Sequence, residues 1–206
     1  MKRFYFFLST LLLCSQVIAQ TPVAHYPLNG NANDIVGSFN GTILGSAAAT
    51  TDRFGEANKA INFDGSDDQI DLGNWFTYQN FTILMWVKPG TSQVLYANLI
   101  DNNHSGSFTN WVCQQAGASL NTYGFGTMNT GGEVSMATDT WQHLSLLKSS
   151  TSIDLYLNGN LVLSTAYNAG NINYSNQFLR LGNWGGGGRH WKGVMDDVKI
   201  YDNALS

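Results

Sequence analysis

Two groups of residues in this sequence could do chemistry. The first is Leu181-Gly182-Asn183-Trp184-Gly185-Gly186-Gly187-Gly188-Arg189-His190-Trp191, where four successive glycines stand between two tryptophans. The apolar C–H face of a sugar packs on an aromatic ring, while amide, imidazole or guanidinium groups hydrogen-bond its hydroxyls. Trp184 and Trp191 are therefore candidate ligand-stacking residues, with Asn183, Arg189 and His190 as polar partners. A second aromatic loop, Gly73-Asn74-Trp75-Phe76-Thr77-Tyr78, offers Trp75 and Tyr78 for packing or for binding. The second group is acidic. Asp64-Gly65-Ser66-Asp67-Asp68-Gln69-Ile70-Asp71 reads most simply as a turn into a strand, because Asp and Gly supply turn conformations, with metal ligation and then catalysis as the alternatives. Asp196 and Asp197 interrupt an otherwise apolar strand, where Asp has poor propensity. Successive strand residues face opposite ways, so one of these two carboxylates is expected to point partly inward.

Catalysis finds little support in these residues. Retaining glycoside hydrolysis needs two carboxyl groups about 5–5.5 Å apart, yet Glu occurs only at Glu56 and Glu133, in separate segments. His25, His104, His143 and His190 show no paired metal spacing, and no nucleophile-elbow motif marks a serine hydrolase. Calcium fits the composition better. Hard cations take carboxylate, Asn and backbone carbonyl oxygens, and the chain is rich in Asp-Asn-Gly loops.

The elements that must position these residues read as strands. Of the 206 residues 43% are hydrophobic and 13% aromatic, but only 12% are charged, which suits one domain with a sizeable core. Scarce Glu and Lys leave little to populate the solvent faces of helices, so the fold class is all-β. From Val23 the apolar residues mostly follow period two. The clearest strand is Phe81 to Lys88, closed by Pro89-Gly90, with Phe81, Ile83, Met85 and Val87 on one face and Leu84 and Trp86 on the other. Further strands are expected at 59–63, 69–72, 94–100, 123–128, 141–148, 153–157, 161–164, 178–181 and 194–201. Asn158-Gly159 tolerates the positive φ angles of a type I′ turn and marks a hairpin. Many short strands at regular spacing imply an antiparallel two-sheet β-sandwich or jelly roll.

Residues 1–19 form a separate segment. Lys2 and Arg3, the apolar run from Phe4 to Cys14 and the small residues before Gln20 match a cleavable secretory signal peptide. The run is too short to span a bilayer, which takes about 20 apolar residues, so no membrane insertion of the mature chain is expected. Cys113 is then the single thiol, expected in the core rather than in a disulfide. A formal charge of −4 leaves no basic field for nucleic acid.

Several landmarks occur in order along the chain: His25-Tyr26-Pro27-Leu28-Asn29-Gly30, Asp52-Arg53-Phe54-Gly55 before Ala60-Ile61-Asn62-Phe63-Asp64-Gly65, Trp86-Val87-Lys88-Pro89, Trp141-Gln142-His143, and Gly193 to Ser206. Together they resemble the laminin G-like, concanavalin A-like lectin/glucanase jelly rolls of secreted bacterial proteins, over nearly all of residues 20–206. The resemblance implies two packed, curved antiparallel sheets and a secreted or cell-surface module that binds a carbohydrate or glycoprotein ligand. It further implies a core position for Trp191, a structural calcium held by Asp34 with Asp196 or Asp197, and the prospect of further domains beyond Ser206. The expected function is a non-catalytic glycan-binding or adhesion module. A polysaccharide hydrolase or lyase, and a purely structural domain of a larger exported protein, stand as alternatives.

Overall fold

The computed structural model describes residues 20–102, 111–116, 119–125, 128–129, 134–174 and 177–205; the expected signal segment lies outside them. In chain order the first strands are β1 (Ala24–Tyr26), β2 (Thr42–Leu44), β3 (Ala48–Thr50), β4 (Ala60–Asp64), β5 (Gln69–Gly73), β6 (Phe81–Pro89) and β7 (Ala97–Asp101). After them come β8 (Val112–Ala116), β9 (Ser119–Phe125), β10 (Met128–Asn129), β11 (Val134–Ser135) and β12 (Gln142–Lys148). The last are β13 (Ser152–Leu157), β14 (Asn160–Ala166), β15 (Leu179–Leu181) and β16 (Lys192–Tyr201).

These strands make two antiparallel sheets. One runs β14-β13-β12-β6-β16-β4-β3, with β1 also on β16; the other runs β10-β9-β8-β7-β15-β5-β2, with β11 on β9. Period two along β6 buries Phe81, Ile83, Met85 and Val87 between the sheets and leaves Leu84, Trp86 and Lys88 half-exposed outside. Burying each such apolar side chain contributes about 1.5–3 kcal/mol, so the alternation alone fixes which face turns inward. The β13–β14 hairpin turns at Asn158 and Gly159, with φ of +51° and +78°, as the Asn-Gly pair requires.

One expected strand starts late. Residues 94–96 form a turn, with the Ala97 N–H donating to the Val94 carbonyl at 3.2 Å. Tyr96 has φ +62°, a left-handed conformation that breaks the pleat and is uncommon outside Gly and Asn. Val94, Leu95 and Tyr96 are consequently exposed, and β7 begins only at Ala97. The three-residue strands β1, β2 and β3 are too short for their period to stand out in the sequence.

Trp111, Trp191, Tyr26, Phe63, Phe76 and Phe81 are the largest apolar side chains of the interior. Trp191 is 0% exposed, packs edge-on to Phe63 at 6.0 Å and donates its Nε1–H to Gln115 Oε1 at 2.8 Å. Cys113 is also fully buried, and burial pushes its thiol up to about 12, so it behaves as an apolar core residue. Trp191→Ala should destabilise the domain by about 3–5 kcal/mol in denaturant titration. A loss below about 1 kcal/mol would contradict the placement of Trp191 between the sheets.

Candidate functional site

The two acidic residues of β16 sit at an irregularity. Asp196 pairs with Trp86 and Lys199 with Leu84, so three steps along β16 oppose two along β6. The extra residue is Asp197, at φ +53°, which makes this a β-bulge. The expectation that the two carboxylates take opposite faces is corrected by that bulge. Both reach the same guanidinium, since Arg53 Nη1 bonds Asp196 Oδ2 and Arg53 Nη2 lies 3.5 Å from Asp197 Oδ2. Arg53 itself lies over the Trp86 ring at 5.1 Å and the Phe54 ring at 4.5 Å. His25 Nε2 is 2.6 Å from Asp197 Oδ1, and Lys199 Nζ is 3.0 Å from Asp197 Oδ2.

Asp34 meets this network through His25 rather than directly. Its Oδ1 accepts backbone N–H bonds from His25, Val36 and Gly37, and its Oδ2 accepts one from Phe39. Burial raises the Asp34 carboxyl, but those four donors outweigh it and hold the group below the usual range. The expected calcium set of Asp34, Asp196 and Asp197 does not fit the ion. Calcium needs several free oxygen ligands, whereas these oxygens face backbone donors, a guanidinium, an ammonium and an imidazole. The cleft beside them, about 410 Å³, is lined by His25, Ile35, Arg53, Phe54, Asp196 and Asp197 among others. Asp64, Asp67 and Asp68 have carboxylate oxygens within 4.8 Å of one another. Asp68 accepts the N–H groups of Ser46 and Asp64, and Asp64 that of Ser66, which is the behaviour of a turn.

On the other sheet, Cys113 and Ile100 are register partners in the core. Alternation then turns Asp101, Val112 and Gln114 to the outer face, and a bulge between Asn98 and Ile100, which leaves Leu99 and Ile100 both in the core, puts Asn98 there opposite Gln114. Arg180 joins them there, between core residues Leu179 and Leu181, in register with Asp101 of β7 and Asp71 of β5. Asn98, Gln114 and Arg180 are nevertheless buried. Among the described residues, neither side-chain amide atom of Asn98, nor Gln114 Oε1, nor Arg180 Nη1 has a hydrogen-bond partner. Sequence reasoning missed these three residues. Their signal is a polar side chain inside an apolar strand, as in Leu179-Arg180-Leu181.

The glycine-rich loop folds back over this face. The Trp191 N–H donates to the Gly182 carbonyl at 2.8 Å and closes the loop's base, while the Asn98 N–H donates to the Arg189 carbonyl at 2.9 Å. The Gly185 N–H donates to Asp101 Oδ2 at 2.7 Å. Arg189 stacks on the Trp184 ring at 4.3 Å and lies 5.3 Å from the Tyr96 ring. Gly186 presses against Trp184 so closely that a Cβ there would fall 2.3 Å from the ring. The expected sugar platform on Trp184 is thus already occupied by Arg189, while the indole Nε1 is buried without a partner. His190 Nδ1 is likewise buried and unpartnered.

The remaining expected ligand residues serve packing or positioning. Trp191 belongs to the core. Asn183 accepts the Trp184 N–H and donates to Gln69 Oε1 at 3.0 Å, which leaves it shaping the loop. Trp75 stacks on Phe39 at 4.1 Å and donates its Nε1–H to the Leu72 carbonyl. Tyr78 packs on Phe76 at 5.4 Å and accepts the Tyr174 hydroxyl at its carbonyl. The structure brings together Trp184, Arg189 and His190 on the second sheet, and Asp196 with Asp197 on the first, with Asp34 linked to that pair through His25.

A family model described as the concanavalin A-like lectin/glucanases superfamily matches residues 64–206. Among solved structures, domain 4 of AbnA, a GH43 extracellular arabinanase from Geobacillus stearothermophilus in complex with arabinotriose, is 22% identical with a TM-score of 0.71; the match covers 90% of this chain and 94% of that one. The receptor binding domain of botulinum neurotoxin C/D mosaic serotype is 15% identical with a TM-score of 0.64, covering 90% of this chain and 48% of the toxin domain. The chain therefore spans about half of that domain. At these identities the likeness is one of fold. No curated protein matches the sequence.

The ion pairs make a pH-dependent prediction. Burial pushes Asp196 up to about 6 against the pull of Arg53. Burial also raises Asp197, but hydrogen bonds from Lys199 and His25 outweigh it and leave this carboxyl below its ordinary value. Asp197 then contributes stability that is present above its unfolded value near 4 and lost as pH falls through its folded value. Asp196 has the opposite sign, contributing stability below about pH 4 that is lost as pH rises through 6. At pH 7, Asp197→Asn should cost about 1–3 kcal/mol and weaken the loss of stability in acid, while Asp196→Asn should cost less. Chelator should leave the melting curve unchanged. A reversed order, or a fall in melting temperature with chelator, would contradict this reading of the network.

Proposed function

Because the chain belongs to the concanavalin A-like lectin/glucanases superfamily, we propose that it is an exported, non-catalytic glycan-binding module. Its site lies on the outer face of the second sheet, beneath the glycine-rich loop. The observation that carries this reading is the concentration of unpartnered buried polar atoms beside Trp184 and Arg189. Leaving a buried donor or acceptor unsatisfied costs about 1–3 kcal/mol each, and a ligand rich in hydroxyls relieves that cost on binding. Arg189 lies near the Tyr96 and Trp184 rings with no carboxylate partner among the described residues, which leaves its donor fork for a ligand. Domain 4 of the arabinanase carries arabinotriose on the same fold, which lends support by analogy.

The carboxylates support a binding role over hydrolysis. Asp196 and Asp197 share one guanidinium, Asp64 and Asp68 are engaged by turn N–H groups, and Glu56 stands exposed. Asp196 and Asp197 differ in basicity, but Arg53, His25 and Lys199 between them engage both carboxylates, where glycoside hydrolysis requires an acid and a nucleophile open to the substrate. Export rests on the leader expected over residues 1–19 and on the extracellular arabinanase likeness. No helix among the described residues is long and apolar enough to cross a membrane.

A panel of polysaccharides screened by affinity electrophoresis tests the proposal. Trp184→Ala and Arg189→Ala should each weaken retention by about tenfold or more, with stability lowered by only about 1 kcal/mol, the worth of the lost stacking. Absence of binding to any glycan, or binding indifferent to both substitutions, would favour the structural or protein-adhesion alternative.

A further inference from the structure

The unpartnered atoms of the second-sheet face have a definite donor and acceptor character. Asn98 Nδ2, Arg180 Nη1 and Trp184 Nε1 donate, Asn98 Oδ1 and Gln114 Oε1 accept, and His190 Nδ1 does either according to its tautomer. An anionic group only accepts. It would satisfy the donors and leave two carbonyl oxygens facing negative charge. A hydroxyl donates once and accepts as well, so an array of mixed sign is complementary to neighbouring hydroxyls.

Formal charge on the face points the same way. Arg180 stands in register between Asp101 and Asp71, and Arg189 is held over the loop beside the Gly185–Asp101 hydrogen bond. Two cations and two carboxylates leave no net field to attract an acidic polymer. The Asn98 amide presents one donor and one acceptor from a single planar group, the geometry that pairs with two adjacent hydroxyls.

We infer that this face recognises an uncharged sugar unit through a vicinal diol. One hydroxyl donates to Asn98 Oδ1 and the next accepts from Asn98 Nδ2, while Gln114 Oε1 and Trp184 Nε1 engage flanking hydroxyls. The inference deepens the glycan-binding reading and rests on it. These atoms are closed to water in the unliganded chain, so the Trp184–Arg189 stack must swing aside to admit the sugar. Gly187 and Gly188, at φ +79° and +76° with open space for 4 Å around the point where a Cβ would stand, provide the hinge.

Affinity electrophoresis against neutral polymers (arabinan, galactan, mannan, glucan) and acidic ones (pectate, alginate, hyaluronan) tests this at about 0.05 and about 0.5 M salt. At least one neutral polymer should bind, with affinity changed less than about twofold by salt. Periodate oxidation followed by borohydride reduction cleaves vicinal diols and should weaken that binding at least about tenfold. Asn98→Ala, and independently Gln114→Ala, should weaken it in proteins whose melting matches the parent. Binding only to acidic polymers, falling as salt rises, would overturn the inference while leaving the glycan-binding reading in place. Binding that survives periodate would overturn the vicinal-diol recognition. No binding to any polymer would remove both.

Discussion

β16 is hydrogen-bonded to β6 along most of its length, and on its other edge first to β4 and then to β1. Its pairs with β4 end at Met195, and those with β1 begin at Val198. Between them lie Asp196 and Asp197, where neither edge partner supplies a ladder bond. A bulge at this break keeps Met195 and Val198 both in the core and turns both carboxylates outward. Arg53 from the β3–β4 loop and His25 from β1 then occupy the break. Removing Arg53 would leave the buried Asp196 carboxylate without its partner, which is far costlier than the pair's net contribution to stability. The start of the domain is thereby tied to its closing strand by side chains as well as by the β1–β16 ladder.

The second sheet depends on the same strand. Trp191 immediately precedes β16, fills the core between the sheets, and closes the glycine-rich loop by donating its N–H to Gly182. Placing Trp191 therefore helps place the loop on the sheet, with the Arg189 carbonyl on the Asn98 N–H and the Gly185 N–H on Asp101. Where a sandwich normally sets apolar residues under a loop or polar residues in water, this face buries polar atoms and leaves them unpaired. Natural sequences break local rules of this kind chiefly at functional sites. The left-handed Tyr96, whose ring lies 5.3 Å from the Arg189 guanidinium, is a second departure at the same place.

Much of the architecture was legible in the sequence because period two and Asn-Gly turn chemistry are local signals. β6, β12, β13 and β16 fall where alternation placed them. The short strands β1, β2 and β3 were not legible individually, because three residues hold too little pattern and their pairing is set by distant partners. The bulge in β16 was also hidden, since two adjacent Asp residues look the same in a regular strand as in one with an inserted residue. At the site, the glycine-rich loop announced itself by composition. Its ring stacking did not, because whether Arg189 faces a ligand or Trp184 is decided by the fold. Asn98, Gln114 and Arg180 are hidden for the converse reason, as single polar residues in apolar strands look incidental until the register sets Asn98 beside Gln114 and Arg180 beside Asp101.

The glycan-binding proposal puts the ligand on the buried, unpaired polar atoms beneath the glycine-rich loop. Side-chain N–H resonances of the ¹⁵N-labelled protein, followed while a retained neutral oligosaccharide is added, address it directly. Asn98 Nδ2 and Trp184 Nε1 should shift and become protected from exchange as they gain acceptors. Trp75 Nε1 and Trp191 Nε1, already bonded to the Leu72 carbonyl and to Gln115, should stay unchanged. Shifts confined to residues of the His25–Arg53 cleft, with Asn98 and Trp184 unmoved, would place the ligand on the other sheet and contradict the account.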